Sequence, residues 1–265
     1  MIGDFWGDDG GFDLLSAGAD LAIIAAQREE VQPLLARLSS RRRGQLQSVP
    51  YWTGGLAGTE VLVAISGVGQ QRARIAAEEL LSQSVPFLMV VGVGGALSPE
   101  LEIGCILAAE EVWAEGAAAL ACDREILALA SARPRVQVGA ILTLDHIVAT
   151  VAERASLLRS LGSPVAAVAV DMESWDFLDV AKQRAVPCTV LRAISDTSRE
   201  SLPALLEHAR RPDGTLNRGR VALSALARPA SIPSLLALRR RVRVGAEDLA
   251  ELVENLAPSA AAVAP

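Results

Sequence analysis

The stretch "VAVDMESWDF" (168–177) decides the class of fold, because it joins a strand pattern directly to a helix pattern. Small and β-branched apolar residues come first, and Asp171 and Glu173 end that run on either side of a methionine. A helical pattern follows at once. A buried strand that ends in acids and leads into a helix is typical of an α/β domain, in which ligands bind at the carboxyl ends of the strands.

The same alternation of strand and helix patterns continues along most of the chain. The predicted strands cover 20–26, two runs within 49–66, 87–93, 105–112, 136–144, 165–171 and 188–195. The predicted helices cover 28–40, 69–84, 154–161 and 174–185. Strands that are apolar almost throughout, with helices between them, predict a sheet that is covered on both faces.

The domain organisation follows from the two ends of this pattern. Residues 1–19 are predicted to be a flexible leader, and residues 20–228 to form one α/β catalytic domain. Residues 229–256 predict a C-terminal helical extension, and residues 257–265 a disordered tail. Four arginines between 239 and 243 predict a solvated basic face, with a contact to a membrane surface as the minority interpretation.

Composition excludes several classes of protein. The net charge of −6 over 265 residues argues against a general nucleic-acid binder. Two histidines and three scattered cysteines do not suit a zinc site, so we expect no metal. The start lacks a signal-peptide pattern, and no apolar run reaches the ~20 residues that span a bilayer, so we expect a cytoplasmic protein.

The glycine-rich stretch "GVGGA" (92–96) follows a predicted strand, as a dinucleotide-binding loop would. It does not complete the GxGxxG pattern, because Leu97 stands at the last glycine position and the next residues predict a loop rather than a helix. We therefore expect no cofactor. The glycines do allow a backbone N–H group to approach a ligand oxygen closely.

Five stretches carry a resemblance to a known family. They are "IIAAQREEV", "YWTGGLAGTEVLVAISGVGQQRA", "GVGGALSPELEIG", "VAVDMES" and "VPCTVLRAISDTS", in this order over about residues 20–200. Together they resemble the nucleoside phosphorylase and nucleosidase family, and within it the bacterial methylthioadenosine/S-adenosylhomocysteine nucleosidases. The resemblance implies a three-layer α/β/α domain with a central mixed, partly barrel-like sheet. It also implies a small-molecule nucleoside substrate and a homodimer.

The family cleaves the N-glycosidic bond of purine nucleosides through a transition state that resembles a ribosyl oxocarbenium ion. The resemblance implies that Asp196 protonates N7 of the leaving purine, that Ser195 orients Asp196, and that Glu30 activates the attacking water. The residue types alone leave other interpretations open. Asp196 could cap a following helix, and Glu30 could be an exposed acid in the first turn of a helix, as we expect for Glu29.

The same resemblance distinguishes the two acids of the stretch 168–177. Glu173 stands at the family position that grips the 2′- and 3′-hydroxyls of the ribose, and its charge would also stabilise the oxocarbenium ion. Met172 would lay an apolar surface along the sugar. Strand alternation points Asp171 the other way, so we do not assign it to the site.

The resemblance implies that Ile147 and Val148 bracket the purine, where the family often has an aromatic residue. This chain offers a smaller aliphatic surface there. Val93 stands where these nucleosidases have a serine, and this removes one polar contact. Gly94 and Gly95 keep the backbone open beside it.

The nucleophile is water in the hydrolases of this family and phosphate in its phosphorylases. Phosphorolysis needs a cationic clamp, usually of arginines, for the anion. The N-terminal loop in which the phosphorylases carry glycine, aspartate and arginine is absent here, and Arg28 and Arg72 are the candidate substitutes. We therefore expect hydrolysis rather than phosphorolysis.

Three alternatives stay open. The longer C-terminal part and "LDHIVATVAERASL" (144–157) resemble the hopanoid-associated phosphorylases, which implies a nucleoside with a large lipid at the 5′ position. A peripheral membrane contact through the basic C-terminal helix would suit that substrate. A futalosine-type hydrolase is the next alternative. A non-catalytic nucleoside-binding protein, suggested by the departures at Val93 and Ile147, is the alternative of a different class.

Overall fold

The computed structural model describes residues 18–162, 167–203 and 232–263. The strands in these ranges are β1 (Leu21–Ala25), β2 (Ser39–Gln45), β3 (Pro50–Leu56), β4 (Thr59–Ile65), β5 (Leu88–Ala96), β6 (Ile106–Ala114), β7 (Leu120–Ala121), β8 (Val136–Thr143), β9 (Val168–Asp171) and β10 (Cys188–Asp196). The helices are α1 (Arg28–Arg37), α2 (Gln70–Leu81), α3 (Arg124–Ser131), α4 (Val151–Leu161), α5 (Ser174–Gln183) and α6 (Ile232–Val263).

Strand β1 shows why the sheet lies between two layers of helices. Ala22 and Ile24 belong to a core that the sheet shares with α2 and α5, whereas Leu21, Ile23 and Ala25 belong to a core shared with α1, α3 and α6. All five side chains are fully buried, so burial of apolar surface on both sides fixes the strand in the middle layer. The predicted three-layer α/β/α fold is confirmed.

The sheet is mixed and closes partly on itself. The strand order is β10-β6-β8-β9-β5-β1-β4-β3-β2, and β10 also pairs with β5. The strands from β10 to β5 therefore form a closed barrel, and β1, β4, β3 and β2 extend from β5 as an open sheet. This confirms the prediction of a partly barrel-like sheet.

The barrel and the open sheet divide at β5. On one edge of β5, the first residues pair with β1, with Val90 opposite Ile24, and the last pair with β9, with Gly95 opposite Val170. Between these two pairings, residues 91–94 have no partner on that edge among the described strands. The other edge pairs with β10 along its length. A gap therefore opens beside β5, where β1 ends.

Several predicted boundaries are wrong. The pattern predicts a helix to residue 40, but α1 ends at Arg37 and β2 begins at Ser39. Strand β2 is exposed almost throughout and carries three arginines, so no apolar alternation reveals it. Strand β5 continues to Ala96, past the predicted end at 93, because β10 and then β9 pair with it. Helix α3 and the short β7 have no counterpart in the prediction.

Helix α6 is longer and more deeply packed than predicted. The prediction of disorder from residue 257 is wrong as far as Val263, because α6 is continuous to that residue and both Ala257 and Ala260 are fully buried. Its second half packs in the same core as α1 and β1, so it belongs to the main domain. Residues 1–17 of the predicted leader lie outside the described residues. None of the helices in the described ranges, α6 included, has the length and apolar character needed to cross a membrane.

Replacing Leu256 by alanine should lower the free energy of unfolding by about 2–5 kcal/mol, because the side chain is 1% exposed and would leave a cavity. Leu236 on the same helix is 59% exposed, so Leu236→Ala should change that energy by less than about 0.5 kcal/mol. Urea denaturation followed by circular dichroism measures both variants. Small and equal effects would contradict the packing of α6 in the core.

Candidate active site

A cavity of about 1500 Å³ opens where β1, β5, β9 and β10 end. It is lined by all the residues predicted for the site: Glu30, Val93, Gly94, Gly95, Ile147, Val148, Met172, Glu173, Ser195 and Asp196. The fold gathers them because the strands that precede them are neighbours in the barrel or beside its opening.

Asp196 ends β10 and is buried. Ser195 Oγ donates a hydrogen bond to Asp196 Oδ1 at 2.5 Å, and Oδ2 accepts a hydrogen bond from Arg154 Nη2. Residues 197–203 contain no helix, so the interpretation of Asp196 as a helix cap finds no support in the described chain. Both carboxylate oxygens are instead held by side chains of the cavity wall.

Glu30 is buried near the start of α1, whereas its neighbour Glu29 is exposed. Its Oε1 accepts from the N–H group of Val93 at 3.0 Å, and its Oε2 accepts from the N–H group of Gln27 at 2.7 Å. Burial raises the pKa of Glu30 above its ordinary value, although the charge of Arg192 and these two hydrogen bonds oppose the rise. An acid in this state is a stronger base than an exposed glutamate.

A buried ion pair between Arg192 and Asp171 adds charge to the same wall. Arg192 Nε donates to Asp171 Oδ2 at 2.9 Å, and Arg192 Nη2 donates to Ser174 Oγ at 2.9 Å. Thr143 Oγ1 donates to Asp171 Oδ1 at 2.7 Å. Asp171 lines the cavity, contrary to the expectation from strand alternation, but these protein partners take up its carboxylate.

Glu173 follows β9 and is also buried, with the half-buried Met172 beside it. Its Oε1 accepts a hydrogen bond from the N–H group of Gly69 at 2.7 Å. Burial, and then the charge of Asp171, raise the pKa of Glu173 to about 8. Burial therefore favours the neutral form of Glu173 more than that of an exposed glutamate.

The glycines of β5 allow charged groups to lie against the strand. A Cβ atom on Gly92 would stand 2.4 Å from Arg192 Nη1 and 2.8 Å from Glu30 Oε1, and one on Gly95 would stand 2.8 Å from Asp196 Oδ2. The glycines of this strand were expected to let a backbone N–H group approach a ligand oxygen. In this structure the oxygen that accepts from the strand's N–H group belongs to the carboxylate of Glu30, not to a ligand.

The chain between β8 and α4 forms another wall of the cavity. Val148 is buried there and Ile147 is half-buried. The more exposed His146 lies 2.8 Å from Asp145 and 3.3 Å from Glu153, measured from a ring nitrogen to a carboxylate oxygen. This wall offers aliphatic surface toward the cavity and a polar rim.

Sequence reasoning missed Arg154 on α4, which is 1% exposed and lines the cavity. One signal could have found it. Leu157, Leu158 and Leu161 stand three, four and seven residues further along, so they mark the apolar face of the helix, and Arg154 lies on that face. An arginine on the inner face of a helix needs a buried partner.

Sequence reasoning also missed the first turns of α6 as a cavity wall. Leu235, Leu238 and Val242 line the cavity at helical spacing, together with arginines of the predicted basic cluster. Those arginines are Arg239, Arg240 and Arg243, which are exposed. The fourth member of the cluster, Arg241, donates to Glu200 at 2.7 Å.

Glu173→Gln should change how stability depends on pH. The folded-state pKa of about 8 lies above the ordinary value of 4.5, so the stability linked to the bound proton is complete below about pH 4.5 and is lost as the pH rises to 8. The variant has no such loss. Its free energy of unfolding should therefore rise relative to the original protein by about 2 kcal/mol or more between pH 5 and pH 8.

Urea denaturation at several pH values measures this difference. The control is Glu100→Gln, which changes an exposed acid and should show no such trend. A similar trend in both variants would contradict a buried, protonated Glu173.

Known sequences are similar to most of this chain. The family model of the Phosphorylase superfamily matches residues 20–228, the range predicted for the catalytic domain. A 5′-methylthioadenosine/S-adenosylhomocysteine nucleosidase from Staphylococcus aureus is 28% identical over 215 residues, which are 71% of this chain and 93% of the relative.

Solved structures share the fold. A 5′-methylthioadenosine/S-adenosylhomocysteine nucleosidase from Helicobacter pylori aligns with a TM-score of 0.70 at 20% identity and covers 90% of this chain and 97% of that chain. A futalosine hydrolase from Helicobacter pylori aligns with the same TM-score, identity and coverage. Because the family model covers most of the sequence, the chain belongs to the Phosphorylase superfamily.

Proposed function

We propose that the protein hydrolyses the N-glycosidic bond of a purine nucleoside of the methylthioadenosine/S-adenosylhomocysteine type. One observation carries the proposal: three acids from separate parts of the chain, Glu30, Glu173 and Asp196, are buried around one cavity. A protein that only binds a nucleoside has no need of an acid and a base in the same site. The activity named for the Staphylococcus aureus relative agrees with the proposal.

Asp196 acts on the leaving base. Its O–H bond breaks as a new N–H bond forms at N7 of the purine, and the bond between C1′ and N9 breaks with its electron pair moving to the purine. The base then leaves as a neutral molecule. Ser195 orients the carboxyl group through the 2.5 Å hydrogen bond to Oδ1.

Glu30 acts on the water. Its carboxylate takes one proton from the water as the oxygen forms a bond to C1′ of the sugar. The raised pKa of Glu30 suits this role, because it makes the carboxylate a stronger base. Exchange with solvent afterwards removes the proton from Glu30 and returns one to Asp196.

Glu173 holds the sugar. A carboxyl group that retains its proton can donate to one ribose hydroxyl and accept from the other, while Gly69 N–H fixes one of its oxygens. Positive charge that develops on the sugar favours loss of that proton, so the clamp becomes more negative in the transition state. Met172 supplies the apolar surface beside it.

The arginines that the sequence offers as a phosphate clamp give no support to phosphate as the nucleophile. Arg28 lies over the ring of Trp52, 5.6 Å from its centroid, and neither Arg28 nor Arg72 is among the described residues that line the cavity. Arg192 is engaged with Asp171 and Ser174. The candidate phosphate ligands from the sequence are therefore not gathered at the site in the described part of the chain.

Release of free purine from methylthioadenosine, S-adenosylhomocysteine, adenosine and inosine, followed by chromatography, tests the proposal. We expect release without phosphate, and we expect Asp196→Asn and Glu30→Gln each to lower kcat by about 10²- to 10⁴-fold, because each removes one proton-transfer group. Glu29→Gln is the matched control for Glu30→Gln and should stay near the original rate.

Other outcomes have distinct meanings. Release only with phosphate would overturn hydrolysis in favour of phosphorolysis. Binding of these nucleosides with no turnover would support the non-catalytic alternative. Activity with futalosine alone would favour the activity named for the structural relative from Helicobacter pylori.

A nucleoside with a large apolar 5′ substituent, as in the hopanoid-associated branch, is the second candidate substrate. The cavity of about 1500 Å³ exceeds the range of about 300–1,000 Å³ that is usual for small-molecule pockets. Leu235, Leu238 and Val242 of α6 supply apolar surface to one of its walls. This surface would cover a hydrocarbon chain better than a methylthio group.

A series of 5′-alkylthio adenosines of increasing chain length tests this candidate. The value of kcat/KM should rise about three- to four-fold for each methylene that becomes buried. Leu238→Asp should abolish the increase, whereas Ala237→Asp, on the neighbouring face of α6, should preserve it. No dependence on chain length would exclude this substrate class.

Two further expectations rest on the family resemblance. We propose that the protein is a homodimer, and size-exclusion chromatography with light scattering would contradict this by showing a monomer. The exposed Arg239, Arg240 and Arg243 of the basic C-terminal helix remain the candidates for a peripheral membrane contact. Liposome flotation that leaves the protein in solution would exclude such a contact.

A further inference from the structure

The first half of α6 brings a row of arginines to the cavity. Arg239 and Arg243 line the cavity together with Leu235, Leu238 and Val242. Arg239 stands four residues after Leu235, and Arg243 four residues after Arg239, so the two arginines continue along one side of the apolar stripe. The wall that α6 supplies is therefore apolar along one strip and cationic along the next.

Both arginines of this row are exposed, and no ion pair joins them to an acid within the described ranges. Their neighbours are engaged. Arg241, on another face of the helix, donates to Glu200 at 2.7 Å. Arg37 of α1 donates to Glu247, the acid that follows Arg243 by four residues, at 2.5 Å. The guanidinium groups of the row are thus in reach of an anion that enters the cavity.

The acids proposed for the reaction lie on other walls of the same cavity. Glu30 belongs to α1, Glu173 follows β9 and Asp196 ends β10. In a nucleoside the base is attached at C1′ and the two hydroxyls at C2′ and C3′. A nucleoside held by its base and by both hydroxyls can therefore extend toward α6 only from its 5′ carbon.

The buried arginines near the strand ends already bond to acids of the protein. Arg154 pairs with Asp196, and Arg192 pairs with Asp171. An acidic group on a substrate would need a guanidinium group with unused donors, since each such contact is a charge-assisted hydrogen bond. In the part of the cavity that the structure describes, the row on α6 offers these donors.

We propose that Arg239 and Arg243 bind an acidic group at the far end of the 5′ substituent. The substrate class is then a nucleoside whose 5′ substituent has an apolar part followed by a carboxylate or a phosphate. The apolar part lies on Leu235, Leu238 and Val242, and the acidic group accepts hydrogen bonds from the two guanidinium groups. The inference rests on the proposed function, because it takes the cavity to be a nucleoside site.

Binding of analogues that cannot be cleaved tests the inference apart from catalysis. The probes are 9-deazaadenosines, in which a carbon–carbon bond joins the base to the sugar, with 5′-alkylthio chains of increasing length. Each chain ends in a methyl, a carboxylate, a phosphonate or an ammonium group, and titration calorimetry measures Kd. At the length that reaches the row, we expect an acidic end to bind about three- to ten-fold more tightly than methyl, and the ammonium end more weakly.

Two variants assign this gain to the row. Arg239→Gln and Arg243→Gln change exposed side chains, so both should fold. Each should remove most of the gain of the acidic end, while the Kd of the methyl series changes by less than about two-fold. Arg241→Gln removes the same charge from another face of the same helix and should keep the gain. Added salt should reduce the gain in the original protein.

The remaining outcomes separate this inference from the proposed reaction. Equal binding of acidic and methyl ends at every length would overturn the inference, and so would a gain that survives in Arg239→Gln and Arg243→Gln. A loss of equal size in Arg241→Gln would overturn it as well, because the effect would then come from the overall charge. Failure of every analogue to bind would overturn it together with the nucleoside site. Preference for the acidic end without release of purine from the cleavable adenosines would support the inference and overturn only the proposed hydrolysis.

Discussion

The change of partner along β5 is the constraint on which the rest of the structure depends. Strand β1 leaves one edge of β5 after Val90 and β9 joins that edge at Gly95, so residues 91–94 have no strand partner on this edge in the described part of the chain. Buried N–H groups need acceptors. Glu30 supplies one to Val93 at 3.0 Å, and this hydrogen bond holds an acid at the opening of the barrel. The gap in the sheet is therefore also the place where the site forms.

Charge is distributed unevenly over the cavity. On the side of Glu30, the buried carboxyl groups of Glu30 and Glu173 lie near one buried arginine, Arg192, and burial raises the pKa of both acids. The pKa of Glu173 is raised to about 8. At Asp196 one acid meets one arginine. Carboxyl groups with such different surroundings can serve as base and acid within one site.

The sequence predicts the features that depend on residue type along one segment. The burial of Leu21 to Ala25 on both faces belongs to this class, whereas only the family resemblance distinguishes Glu30, which is buried, from the exposed Glu29. Prediction from the sequence fails where a feature depends on residues in another segment of the chain. Strand β2 exists because it pairs with β3, and its exposed arginines carry no apolar signal. The leucines of α4 could have revealed that Arg154 is buried, but not that its partner is Asp196, which lies on another strand.

The two halves of helix α6 have different roles. From Leu249 to Ala260 it is held in the core, whereas from Leu235 to Val244 it stands half in solvent and borders the cavity. A substitution in its first turns can therefore reshape the cavity with little effect on folding. A new substrate could be acquired there through a few tolerated mutations, while the buried second half and the barrel tolerate fewer changes. Substrate preference can therefore change by mutation in the first half of the helix without a loss of stability in the second half.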